Sequence, residues 1–550
     1  MILTGWVHPA ESQEDTTGGK PVQEEKNNPW LKKITPALLD IMAGQGVEIQ
    51  LTPKYLEVMQ RDYEILHEFS HVAEQKIPEV TTLKANLVRA LDTADFAAAD
   101  QELARWAELP GMQPREKMLI IDQRGGLATL RWKFQEAAGH YQTLANLTAE
   151  VDPSRVGEYL QKSVESLEKQ KKILDDHSLS SAVVTGWRQV VAAQSRQQQP
   201  IAWGQAQKNL ATALINLAKT RHTAPLLQEA LELFSEAEKE LHRDGHPHLW
   251  AEIQHDKGVA ASYLGIWQHQ RPWLEKALVN FKSALEIWQP AMYPKQWSGT
   301  WNSIAKTWLE MTAFVKSGDS QAKEAIKAYQ EAQKAWPRQK HPLEWGEYQG
   351  RIGSIQAVIG EAKKQPKKIR EGIKIMQEGI ALLAPPLVPE PFIDLNMRLS
   401  HALWTLGNLE KNVPLLQESI TALEQALPFL KPEKRPEAWI KVKTTLGEHA
   451  FFVAVQNHES SLYDKAEESY RDAMTVLTPG QDAQKLAEIQ NDLGSVLAHR
   501  GEQENNPEKA RQGLALFREA CKTAKAIADR DSMDTCQRNM VIVERFLAKK

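Results

Sequence analysis

WGQAQKNLATALINLAKTRHTAPLLQEALELFSEA, residues 203–237, is the stretch on which the fold turns. Its small and apolar residues recur at three and four, the spacing that puts side chains on one face of an α-helix, and Ala230, Phe234 and Ala237 make one such face. Pro225 interrupts the pattern, and a helix tolerates proline only in its first turn. The stretch therefore reads as two helices, one opening near Trp203 and the other near Pro225.

The same grammar returns at a fixed distance. Trp203, Trp250, Trp297, Trp345, Phe392, Trp439 and Leu486 follow one another at 47, 47, 48, 47, 47 and 47 residues. Eight residues after each stands a small side chain: Ala211, Gly258, Ala305, Gly353, Ser400, Gly447 and Gly494. A further column, Phe234, Phe281, Tyr329, Met376, Leu423, Tyr470 and Phe517, keeps the period, with a small residue four before and three after each member. Unrelated amphipathic helices do not hold one register through seven units, so the period marks a repeat array. In each unit the first helix carries the small column, which allows close approach, and the second carries the Ala-x3-Phe-x2-Ala face. Proline punctuates both, before the first helix in HPHLW, YPKQW, HPLEW and RPEAW and at the start of the second in APLLQEA, RPWLEKA and VPLLQES.

These columns resemble the tetratricopeptide repeat, in which a large residue, a Leu-Gly pair and an Ala, aromatic, Ala series recur over paired helices. That unit is about 34 residues long, so the additional residues here lengthen helices or the turns between them. Long units of this kind are similar to those of bacterial arrays that accompany caspase-like proteases or signalling enzymes. The resemblance covers residues 185 to 550. It implies an all-α fold, a right-handed superhelical solenoid of paired antiparallel helices, and a groove lined by the first helices that receives a protein partner. Carried over position by position, the protein-binding groove includes Lys208, His255, Asn302, Lys306, Met397, His401 and Trp404. The Lys and Asn ladder with which chaperone-binding members grip a C-terminal carboxylate is interrupted, because Asp256 stands where a second-repeat Asn belongs.

Upstream the register weakens without ending. Trp187 lies 47 residues before Phe234, and Ala137 to Tyr141 repeat the Ala-to-aromatic spacing 46 residues earlier. Degenerate repeats are expected over 113–202, behind an N-terminal helical region over 29–112. Residues 203–530 hold the seven repeats, and 531–550 have no second helix, as expected of a capping helix over the last exposed face. Residues 1–28, polar and glycine-containing, read as a flexible tail.

Composition narrows the partners. The 550 residues carry 67 Lys+Arg against 71 Asp+Glu, a net charge of −4, so no overall cationic field draws the chain to nucleic acid or an anionic membrane. Hydrophobic residues at 42% and charged residues at 25% are ordinary globular values and exclude global disorder. Cys521 and Cys536 are too few for a disulfide framework and are expected to be packing thiols in a reducing compartment. MILTGWVHPAESQEDT lacks the basic and apolar regions of a secretory signal, and no run of 18 apolar residues occurs. The expectation is a cytoplasmic protein with no cofactor and no membrane partner.

Three motifs carry groups that chemistry could use. His67-Glu68-Phe69-Ser70-His71 has the H-E-x-x-H spacing that puts two imidazoles on one helical face with a glutamate as base. A catalytic zinc needs a third protein ligand, which Glu79 or Glu102 would have to supply, and the residues before 67 leave no room for a protease's strands. His67 and His71 share an edge with Gln60 and Glu64 beside the stripe Leu56, Met59, Tyr63, Leu66, so the wet border of an amphipathic helix is the favoured reading. KKQPKKIR, residues 363–370, could meet phosphate, but no aromatics interleave it. PPLVPEP, residues 385–391, reads as a stiff connector. The leading expectation is thus a non-enzymatic interaction scaffold with no metal and no catalytic residues, a regulatory subunit or target of a separately encoded enzyme in bacterial signalling or defence. The alternatives are a zinc metallohydrolase and a nucleic-acid-contacting accessory protein.

Overall fold

The computed structural model describes residues 29–45, 52–72, 78–174, 176–315, 317–433, 435–478 and 482–549, and the tail expected over 1–28 lies outside them. The chain divides into two compact units, Met1–Phe314 and Val315–Lys550. Every regular element among the described residues is a helix, as the 3.6-residue patterning predicts.

The first unit begins with α1 (Pro29–Gly44), α2 (Thr52–Val72), α3 (Pro78–Asp92) and α4 (Phe96–Ala107). Hairpins follow: α5 (Pro114–Leu130) with α6 (Phe134–Val151), α7 (Val156–Ile173) with α8 (Ser180–Ala193), α9 (Pro200–Arg221) with α10 (Ala224–Glu240), and α11 (Pro247–Trp267) with α12 (Arg271–Leu285). It closes on α13 (Pro294–Glu310). The second unit opens with α14 (Asp319–Gln333) and continues through α15 (Pro342–Ala362) with α16 (Pro366–Ile380) and α17 (Pro389–Glu410) with α18 (Val413–Ala426). The pairs α19 (Pro436–Asn457) with α20 (Ser460–Met474) and α21 (Ala483–Gln503) with α22 (Pro507–Ala526) lead to the terminal α23 (Arg530–Leu547). Within each unit a helix packs mainly on the helices before and after it in the chain, which is the organisation of a solenoid.

Local chemistry sets the hairpin. Pro200, Pro247, Pro294, Pro342, Pro389 and Pro436 each open a first helix, where the missing N–H would have had no partner in any case. The reversal to the second helix passes through one left-handed residue, His222, His269, Lys364, Lys411, His458 or Asn505, with φ between 49° and 54°. An L residue there costs about 1–2 kcal/mol, so the packing of the two helices holds the turn in that shape.

The two sequence columns meet inside the hairpin. A Cβ on Gly258 would sit 2.6 Å from the Phe281 ring, one on Gly447 2.9 Å from Tyr470, and one on Gly494 2.8 Å from Phe517. The small column is space for the aromatic column of the next helix, 23 residues on. Phe234, Phe281 and Phe517 are buried in consequence, each worth about 2–3 kcal/mol of transfer from water.

One expectation is corrected. Cys521 on α22 and Cys536 on α23 are not separate packing thiols but a disulfide, with their Cα atoms 5.7 Å apart. The turn at Ile527 to Asp529 folds α23 back on α22 and brings together two residues whose spacing in sequence carries no such signal.

Candidate binding surfaces

In the first unit α7, α9 and α11 are the opening helices of successive hairpins, and side chains from all three surround a cavity of about 330 Å3. Glu165 and Glu168 come from α7, Lys208, Asn209 and Thr212 from α9, and Glu252, His255 and Asp256 from α11, with the buried Trp187 and Trp288 as walls. The Trp187 indole N–H donates to Glu168 at 2.9 Å, and that of Trp288 donates to His248 Nδ1 at 3.1 Å. With Nδ1 accepting, His248 offers Nε2–H to Glu252, 3.2 Å away.

The charges in this cavity are unevenly served. Lys208 pairs with Glu252, and although burial opposes the charge, His248 and Lys208 bring that carboxyl down to about 2. Asp256 accepts from the Thr212 hydroxyl at 2.7 Å and lies 3.1 Å from His255 Nδ1. Burial raises Glu168, opposed first by the Trp187 hydrogen bond. Four carboxylates thus share the lining with one ammonium. Lys171 and Lys219 lie close enough to feel Glu168 and Asp256 respectively, and burial lowers both.

Of the groove residues read from sequence, Lys208 and His255 line this cavity. Asn302, also in the first unit, has its side-chain oxygen buried with no hydrogen-bond partner, and Lys306 is exposed. In the second unit Met397 packs against the apolar core, and His401 is exposed, 3.1 Å from Glu361. Trp404 is stacked flat on His449 at 3.8 Å and meets Phe452 edge-on at 4.9 Å. His449 is buried, with Nδ1 3.1 Å from the Ser419 hydroxyl, and burial followed by the nearby His401 pushes it down to about 4. Trp404 is therefore part of the packing between repeats.

Sequence reasoning missed that these side chains serve one another across neighbouring repeats. Lys208–Glu252, Thr212–Asp256 and Thr405–Glu361 are each 44 residues apart, and His401–Glu361 and Arg370–Glu410 are 40 apart. Those separations are one repeat less three or seven, that is, adjacent helices offset by one or two turns. A search for opposite charges at 40 and 44 would have found Lys208–Glu252 and Arg370–Glu410, whereas the threonine pairs carry no charge to search for.

The H-E-x-x-H helix behaves as its stripe predicts where it is described. Met59, Tyr63 and Leu66 are buried and Glu68 is exposed. His67 Nε2 lies 3.3 Å from Asp92, while the His71 side chain falls outside the described residues. Of the third ligands considered, Glu79 is exposed and Glu102 is bound to Arg105 at 2.8 Å. Among the described residues the trio close enough to share an ion is Asp100, Glu136 and His140, but Arg124 at 3.0 Å and Arg131 at 3.7 Å already neutralise Asp100. The basic run at 363–370 forms the left-handed turn after α15 and the start of α16; Lys363 pairs with Asp319 and Arg370 with Glu410. Pro389 of the proline-rich connector opens α17. Among the described residues no helix is long and apolar enough to cross a membrane.

No family model and no curated protein matches the chain. Solved structures do. A monomeric mutant of IFIT1 with an m7Gppp-AAAA cap is 12% identical over 93% of this chain and 100% of its own, with a TM-score of 0.41. The apo quorum sensor NprR from B. thuringiensis is 12% identical over 71% and 99%, at 0.31. Cut9 with Hcn1, from the APC/C, is 11% identical over 86% and 98%, at 0.30.

Proposed function

We propose that the chain is a non-enzymatic scaffold that holds a protein partner, and that the face of α7, α9 and α11 is where the partner is held. The observation behind this reading is the cavity of about 330 Å3 in that face, large enough for a long side chain and lined by four carboxylates, one lysine and two indoles. The partner segment it suits carries an arginine or lysine. Acidic surroundings steer such a group, and the indole edges tied to Glu168 and His248 keep the walls fixed. Repeat faces of this kind commonly receive extended segments or helices. The remaining groove residues, Asn302 and Lys306 in the first unit and Met397, His401 and Trp404 in the second, stay candidates of the same proposal. So does the role as regulatory subunit of a separately encoded enzyme, in a cytoplasmic setting.

Affinity capture from native lysate with mass spectrometry tests the proposal. A partner retained by the wild type and by His401→Glu but lost with Glu168→Arg places the site in this cavity. Equal capture by all three moves the site elsewhere, and no captured partner at all sinks the scaffold reading.

A further inference from the structure

The terminal helix joins the end of the stack through a covalent bond and a small apolar seam, in which Val543 is buried and Met540, Phe546 and Leu547 are half-buried against Leu514 and Phe517. On α22 six residues are buried, Ala510, Gly513, Leu514, Phe517, Ala520 and Ala524, whereas on α23 only Cys536 and Val543 are. Val541 and Ile542 are 45% and 61% exposed, and Ile542 also borders the cavity beneath the helix. Beneath the distal half of α23 the packing leaves a cavity of about 200 Å3 lined by Phe451, Ala498, Phe517, Val543 and Phe546. The polar ties are modest: Asn539 to Asn491 at 2.9 Å and Arg518 to Glu544 at 3.5 Å, the latter exposed. The remaining described helices of this unit are held without such a bond, because the chain has no other cysteine.

The two cysteines are unequally exposed. Cys536 is fully buried, while Cys521 is partly exposed. Cys521 is therefore the residue that an incoming thiolate meets first. We propose that Cys521–Cys536 is a redox latch: a dithiol reductant opens it, and α23 then leaves the end of the stack and uncovers the apolar face around Leu514 and Phe517. The exchange balances. One thiolate of the reductant bonds to Cys521 Sγ as the S–S bond breaks, and Cys536 leaves as a thiolate and takes a proton from water. The reductant's second thiol then attacks its own sulfur in the mixed disulfide, releasing Cys521; one disulfide becomes two thiols and one dithiol becomes a disulfide. The device suits a reducing compartment, where disulfides are characteristically transient and sensing. It does not depend on the identity of the groove's partner.

Hydrogen exchange on the full chain, with and without dithiothreitol, tests it. Closing a chain segment of 15 residues is worth roughly a hundredfold in the closed population, so amides of residues 530–547 should exchange about a hundredfold faster on reduction while α15 to α20 are unchanged. A Cys521→Ala, Cys536→Ala double variant should exchange fast over the same residues in both buffers, which separates the latch from any other action of the reductant. Equal protection of α23 in the oxidised and reduced wild type overturns the proposal. So do two titratable thiols that persist in the folded chain after incubation with excess oxidised glutathione.

Discussion

The α15–α16 hairpin and the α22–α23 end of the same unit are built on opposite principles. In α15–α16 the backbones touch. A Cβ on Gly353 would lie 2.5 Å from the Met376 amide nitrogen and 2.7 Å from the Gly372 carbonyl oxygen, and one on Gly379 2.5 Å from the Gly346 carbonyl oxygen. No side chain can move aside to make room, so this contact is decided by shape alone. Against α22, by contrast, α23 presents no glycine, two buried side chains and a disulfide. The interior hairpin is close-packed and cannot adjust; the end is held by a bond that chemistry can remove.

Four changes would break or sharpen that contrast. The largest effect belongs to Gly353→Leu, which forces atoms into main chain rather than into a flexible neighbour; a loss of more than about 3 kcal/mol is expected by urea unfolding. A loss under about 1 kcal/mol would show that the backbones are not in contact.

Acid comes next, and it should act on the interior. His449, facing Ser419 on α18, Trp404 and His401 on α17, is held down to about 4 in the folded chain, whereas the unfolded chain binds its proton near 6.5. Stability should therefore be fully present above about pH 6.5 and fall as pH drops towards 4, by about 3 kcal/mol in all. His449→Gln should flatten the pH dependence of the urea midpoint, and an unchanged slope would remove His449 from the account. Exchange of α23 should not follow this titration.

A smaller effect is expected at the end. Asp529 caps α23 by accepting from the Ser532 N–H at 3.2 Å, and Asp529→Ala should cost about 1 kcal/mol. That loss should appear as faster exchange in α23 only, and more plainly after reduction. Smallest of all, Lys411→Gly relieves a left-handed, exposed turn residue and should raise the urea midpoint by the equivalent of about 0.5–1 kcal/mol; a fall would mean the lysine side chain supports the turn.

The all-helical fold, the helix starts and the meeting columns were all legible from residues alone. Their causes are local: proline at a first turn, a 3.6-residue face, and a period that repeats whatever the neighbours do. Gly258 and Phe281 could be paired on paper because both stand in columns. Three things were decided only by tertiary structure. Lys208 faces Glu252, and His401 faces Glu361, because stacking sets which turn of one first helix lies beside which turn of the next. His222, Lys411 and their counterparts adopt a left-handed turn that no glycine announces, since the two packed helices impose it. Cys521 meets Cys536 because α23 folds back at residues 527–529. Each of these depends on distances between segments, which a linear pattern does not contain and a packed chain does.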